Sequence, residues 1–149
     1  MRSLVFLAGL ALLAGVAALV SVRGDDERDG TGARGELEGV VWEWLALLGA
    51  DESTLQPDDP ALYTLELDGG GRVAIRADCN RGSGRYRLDG DALEIGPVAT
   101  TRAACPEGSL GDVFVRRLED VRAYVVVEGE LFLDLAADAG SLRFRRAAP

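Results

Sequence analysis

Tyr63-Thr64-Leu65-Glu66-Leu67-Asp68-Gly69-Gly70-Gly71-Arg72-Val73-Ala74-Ile75-Arg76 reads as a β-hairpin. Tyr63, Leu65 and Leu67 alternate with Thr64 and Glu66; Val73 and Ile75 alternate with Arg72, Ala74 and Arg76. Successive side chains of a strand point to opposite faces, so a period of two gives one apolar row and one polar row. Asp68-Gly69-Gly70-Gly71 supplies the residues that tolerate a reversal. The pattern recurs downstream. Tyr86 and Leu88 lead through Asp89-Gly90-Asp91 to Leu93 and Ile95, and Tyr124 to Val127 lead through Glu128-Gly129 to Leu131 to Leu135. Asp138-Ala139-Gly140 then turns the chain into a last strand with Leu142 and Phe144.

One segment breaks the rhythm. Between Leu110 and Val121 the apolar residues fall at Leu110, Val113, Phe114, Leu118 and Val121, the spacing of one helix face, with Ser109 placed to cap it. Upstream, Val40 to Leu48 is an apolar run with two Trp, bounded by Gly49, and Asp51 to Pro60 is a polar loop. About eight strands and one helix, all on short connections, predict a mainly β fold. It is an antiparallel barrel or strongly curved sheet with one helix packed against it, which leaves no long unpaired edge.

The N-terminus has another purpose. Met1-Arg2-Ser3 precedes an unbroken apolar and small run from Leu4 to Val22, followed by Arg23. That predicts an apolar leader helix over residues 1–23, either a cleaved signal peptide or a retained membrane anchor. Val16 with Ala18, or Gly15 with Ala17, are the small-residue pairs at which cleavage would act, and no Cys follows for lipid attachment. Both readings put the remainder outside the cytoplasm, in the envelope, periplasm or medium, touching membrane only through a retained leader. Residues 24–38 (GDDERDGTGARGELE) are Gly-rich and charged with one large apolar residue, Leu37, and read as a flexible acidic linker. The domain then occupies 39–149.

The 149 residues carry a net charge of −9, from 16 basic and 25 acidic residues. Without Arg2 and Arg23, 14 basic residues face 25 acidic ones, a balance of −11. Such a surface repels phosphate backbones and anionic lipid, which argues against nucleic acid as a partner. There is no His, so the usual proton shuttle and the commonest metal ligand are missing. Two cysteines, Cys79 and Cys105, form an even, minimal set that in an exported chain favours one disulfide; two buried free thiols are the alternative.

The most distinctive residues are Asp78-Cys79-Asn80-Arg81-Gly82-Ser83-Gly84-Arg85-Tyr86, then Thr100-Thr101-Arg102-Ala103-Ala104-Cys105-Pro106. They resemble the META domain, the family of the heat-shock protein HslJ. That family shows a Trp-containing first strand, a Cys-Asn-x-x-x-Gly-x-Tyr segment, a Thr-Arg-x-x-Cys-Pro segment and a helix with a Phe and a Leu. Trp42 or Trp44, Cys79, Asn80, Gly84, Tyr86, Thr101, Arg102, Cys105, Pro106, Phe114 and Leu118 hold those places, and the resemblance spans residues 39 to 146. The sequence departs from the pattern at Asp78, where Gly is frequent, and at Ala103, where Met is common. The resemblance implies a lipocalin-like curved sheet or small barrel and an envelope or secreted setting linked to stress or antibiotic tolerance. It carries over no catalytic residue.

Read as chemistry, the motif is structural. Asn80 suits a tight turn after Cys79, and Gly82 and Gly84 offer positive φ at a bend. No nucleophile has a base to activate it. The acidic residues Asp51, Asp58, Asp59, Asp89, Asp91 and Glu94 lie almost wholly in expected turns, without calcium-loop spacing. Neither metal nor cofactor is expected. Arg81, Arg85, Arg87 and Arg102 cluster near the motif in an otherwise acidic chain and are the candidate contacts for an anionic ligand or partner. The sequence thus reads as a monomeric, non-enzymatic interaction module for an envelope protein or small molecule. The alternative is a lipocalin-like carrier of a small apolar ligand.

Overall fold

The computed structural model describes residues 30–149; the leader and residues 24–29 of the expected linker lie outside them. The elements are α1 (Gly30–Leu37), β1 (Val41–Gly49), β2 (Thr54–Leu55), β3 (Tyr63–Leu67), β4 (Arg72–Ala77), β5 (Asn80–Asp89) and β6 (Ala92–Ile95), followed by β7 (Ala99–Thr100), α2 (Gly111–Glu119), β8 (Val121–Val127), β9 (Glu130–Leu135) and β10 (Gly140–Arg146). Eight strands pair antiparallel in the cyclic order β1-β3-β4-β5-β6-β8-β9-β10, and β10 returns to β1 from Trp42↔Arg146 to Gly49↔Gly140. The sheet is therefore a closed barrel. The two-residue strands β2 and β7 pair on the side, with β1 and β5. Most of its links are continuous ladders, but β6 and β8 share the single pair Ala92↔Ala123.

The alternation read in the sequence sets the barrel's inside and outside. Leu65, Leu67, Val73 and Ile75 point inward and are buried, while Glu66, Arg72 and Ala74 face out and are exposed. Trp42, Trp44 and Phe144 fill the interior at 0% exposure. α2 presents Phe114 and Leu118, also fully buried, to the end of the barrel where Ala77 and Tyr63 lie. There Phe114 stacks on Trp44 at 5.1 Å between centroids, Tyr63 meets both rings edge-on, and the Tyr63 hydroxyl accepts from the Leu110 N–H at 3.0 Å. Truncating any of these rings would cost about 3–5 kcal/mol, the usual range for a buried aromatic.

α1 closes the opposite end, beside the β3–β4 turn, and this corrects the linker reading for residues 30–38. Its eight residues include three Gly and make a poor isolated helix, so tertiary contacts hold it. Leu37 is fully buried, its carbonyl accepts from Trp42 Nε1 at 3.0 Å, and Arg34 donates to the Leu88 carbonyl. Glu38, just beyond the helix, accepts at 2.6 Å from the Tyr86 hydroxyl, which itself accepts from the Gly69 N–H.

Two smaller differences have local causes. α2 ends at Glu119 rather than Val121, because Val121 is taken into β8 as a buried inward residue opposite Leu135. Leu110, not Ser109, holds the N-cap position, although Ser109 Oγ accepts weakly from the Gly111 N–H at 3.3 Å. The loop after β1 contains β2, and it closes on a 3₁₀ turn at Pro60–Leu62 where Asp59 accepts from the Ala61 N–H.

Candidate functional site

The motif residues of β5 and the segment after β6 come together on one flank of the barrel. Cys79 and Cys105 are joined in a disulfide, with their Cα atoms 5.4 Å apart. Asn80 then holds the same segment. Its Oδ1 accepts from the Ala103 N–H at 2.8 Å and from Thr101 Oγ1 at 2.9 Å, while its Nδ2 donates to the Ala103 carbonyl at 3.1 Å. Thr101 Oγ1 also accepts from the Arg81 N–H. Residues 101–105 are thus a strap fastened to the start of β5 by one covalent bond and one amide side chain. Asn80 is extended in β5, and the turn conformation expected of it belongs instead to Asp78, at φ 60°. Asp78 stands where the resemblance led us to expect Gly, and Asp tolerates that left-handed geometry better than most side chains.

Gly82 and Gly84 do not take positive φ either. They are required because another stretch of chain lies on them. A Cβ at Gly82 would meet Thr100 Cγ2 at 2.8 Å and Val98 Cγ1 at 2.9 Å, and one at Gly84 would meet the Pro97 carbonyl at 2.9 Å. The glycines let residues 97–100 cross β5 closely enough for β7 to pair at Gly82↔Thr100 and Ser83↔Ala99.

Tyr86, the motif's aromatic residue, points into the opposite end of the barrel and ties β5 to α1. Burial first, and the Glu38 carboxylate second, push its hydroxyl up to about 12. Trp42 lies at that end too, with the Arg146 guanidinium 5.0 Å from its ring centre. Pro106 is exposed just beyond the disulfide. These residues are framework.

The arginines are arranged differently. Arg81, Arg85 and Arg87 share the outward, exposed face of β5. Arg102 is exposed on the strap instead, lining an open groove of about 470 Å³ between the strap and the first turn of α2. Register adds two residues that the sequence reading did not single out. Arg72 lies directly opposite Arg85, and Arg76 directly opposite Arg81, with Ala74 and Ser83 paired between them. The signal was available: counting outward from the Asp78–Cys79 turn pairs these arginines on the same face. Residues 69–88 carry five Arg against one acid, Asp78, a local balance of +4 in a chain of −9.

The ion pairs formed among the described residues are Arg117–Asp120, Arg143–Glu130 and Arg145–Glu43, and none engages an arginine of this face. The acids bordering it are Glu66, opposite Ala74 on β3, Glu94, opposite Arg87 on β6, and Asp68 in the turn. Asp68 is held below the usual carboxylate range chiefly by the N–H groups of Arg72 and Gly70, with weaker help from the charges of Arg72 and Arg85.

A closed antiparallel barrel, plugged at both ends and strapped through a Cys-Asn segment, defines a class of small β domains. The chain matches the META domain over residues 35–148 and belongs to that family. The match begins inside α1, so the family boundary and the packing agree. No curated protein matches the chain. Among solved structures, it is similar to a protein from Burkholderia xenovorans determined by NMR, at TM-score 0.65 and 22% identity over 76% of this chain and 85% of that one. It is also similar to a DUF4847 family protein from Bacteroides vulgatus, at TM-score 0.54 and 14% identity over 75% of this chain and 95% of that one. Both likenesses concern the fold.

Proposed function

We propose that this META domain is a non-enzymatic interaction module of the cell envelope, carried there by its N-terminal segment and binding its partner on the outside of the barrel. The observation that carries the reading is the filled interior. Trp42, Trp44, Phe114, Leu118 and Phe144 are all fully buried in one packed cluster, where a lipocalin-like carrier would need apolar space. Recognition then falls to the surface, where Arg72, Arg81, Arg85 and Arg87 of β4 and β5 gather on one face outside the ion pairs formed among the described residues, with Arg76 beside them donating to the Asp78 carbonyl at 3.2 Å. The Cys79–Cys105 disulfide supports an oxidising, extracytoplasmic setting. Stress or antibiotic tolerance is the physiological context that the family resemblance suggests.

Native mass spectrometry of the protein purified from its own host tests the choice between module and carrier. The module predicts the bare mass of an oxidised chain, or that mass plus a partner protein. A stoichiometric apolar small molecule, released only on unfolding, would overturn it in favour of the carrier.

A further inference from the structure

The outward face of β4 and β5 breaks a local rule. Side chains directly opposite each other in an antiparallel pair lie about 5 Å apart, and like charges there are destabilising. The chain places two such pairs, Arg72↔Arg85 and Arg76↔Arg81, on one hairpin, with carboxylates only at its margins: Glu66 opposite Ala74 on β3, Glu94 opposite Arg87 on β6 and Asp68 in the turn. A departure of this kind from local consistency is expected where a surface serves binding.

Three features restrict what fits. The outward residues between and beside the two pairs are Ala74, Ser83 and Arg87, so the face has no large apolar side chain of the kind that anchors a folded protein partner. The overall charge of −9 opposes a long polyanion but scarcely affects a short one, because charges beyond about 8 Å are screened at physiological salt. Along β5, Arg85 and Arg87 are separated by two residues, roughly 7 Å, and Arg81 by four more on the same row. That is the repeat of alternate side chains in an extended peptide.

Resting on the reading of the domain as an outer-surface module, we propose that the β4–β5 face binds a short, extended acidic segment of a partner protein. Carboxylates at alternate positions engage Arg81, Arg85 and Arg87, while Arg72 and Arg76 flank the peptide over the small floor of Ala74 and Ser83. Guanidinium forks suit carboxylates in this geometry, each pair forming two parallel N–H···O bonds.

The test uses the full chain in a non-ionic detergent and a labelled twelve-residue peptide of alternating Glu and Ser, read by fluorescence anisotropy. Binding should saturate at low salt, weaken as NaCl rises, and fall by at least about tenfold in the quadruple variant R72Q/R76Q/R81Q/R85Q. Arg116→Gln with Arg122→Gln, on exposed positions outside this face, should leave affinity unchanged. The quadruple variant should melt close to the parent, since relief of two like-charge pairs offsets the lost bond from Arg76 to the Asp78 carbonyl, which separates lost binding from lost folding.

Equal binding by parent and quadruple variant would overturn the proposal, as would tighter binding of an inorganic polyphosphate of equal charge. If the peptide fails to bind while a photo-crosslinker on this face still captures a protein, the acidic segment is wrong but the outer-surface module stands.

Discussion

Replacing Asn80 by Ala should loosen the strap while leaving the disulfide bond closed and the barrel core packed. Besides a weak contact from Nδ2 to Cys105 Sγ at 3.3 Å, the substitution deletes three hydrogen bonds, from the Ala103 N–H at 2.8 Å, from Thr101 Oγ1 at 2.9 Å and to the Ala103 carbonyl at 3.1 Å. At about 0.5–1.5 kcal/mol each they sum to roughly 1.5–4.5 kcal/mol. Thr101 and Ala103 are exposed, so water can take over some of the freed groups and the cost belongs near the lower end, about 2 kcal/mol. For a domain of this size that is a fall in Tm of roughly 6–10 °C. Differential scanning calorimetry of the oxidised protein reads it directly. The disulfide holds the same strap and should contribute about 3.5 kcal/mol for a loop of roughly 27 residues in the chain-entropy model. Two fasteners on one segment couple. Asn80→Ala combined with Cys79→Ser and Cys105→Ser should therefore cost more than the sum of the separate changes. An Asn80→Ala protein melting within about 2 °C of the parent would refute the clamp, whatever the disulfide does.

Leu37→Ala tests whether α1 belongs to the folded unit: emptying a fully buried leucine position should cost about 2–4 kcal/mol and expose residues 30–38 to proteases, whereas a true linker would show neither. Gly84→Ala should destabilise by about 1–3 kcal/mol in thermal melts, because the new Cβ meets the Pro97 carbonyl of the backbone at 2.9 Å and only a shift of the crossing segment can relieve it. Tyr86 gives the fold an alkaline limit. Its proton is held more tightly folded than unfolded, so the difference is silent below pH 10; stability should then fall by up to about 2 kcal/mol as pH rises toward 12. In denaturant titrations Tyr86→Phe should lower stability at neutral pH by about 1 kcal/mol through the lost bond to Glu38, and should flatten that alkaline fall.

Much of this was legible in the sequence. Period-two alternation located the hairpins, because a barrel with a dry inside and a wet outside writes that period into every strand. The Leu110, Phe114 and Leu118 spacing gave α2 for the same reason. α1 was not legible: its sequence, GTGARGEL, has almost no helical face, and what forms it is the docking of Leu37 and Glu38 against Trp42 and Tyr86, contacts distant from the helix's own pattern. The roles of Asn80, Gly82 and Gly84 were misread in a consistent direction. Their residue types suggest turns, yet here they serve a second chain segment lying across β5, and no local rule reveals what will lie on a strand. The arginine cluster was seen only along β5, where neighbours in sequence are neighbours on a row. Arg72 and Arg76 joined it through cross-strand register, while Arg102, close in sequence to the motif, left it for the strap.

The claim that recognition occurs on the outside of the barrel can be tested by placing a photo-crosslinking residue at Ser83, in the middle of the β4–β5 face, and another at Val127, exposed on β8. Irradiated in cells of its own host, the chain carrying the probe at position 83 should give a discrete higher-mass adduct, and the chain carrying it at 127 should not. An adduct from position 127 alone, or none from either, would contradict the account.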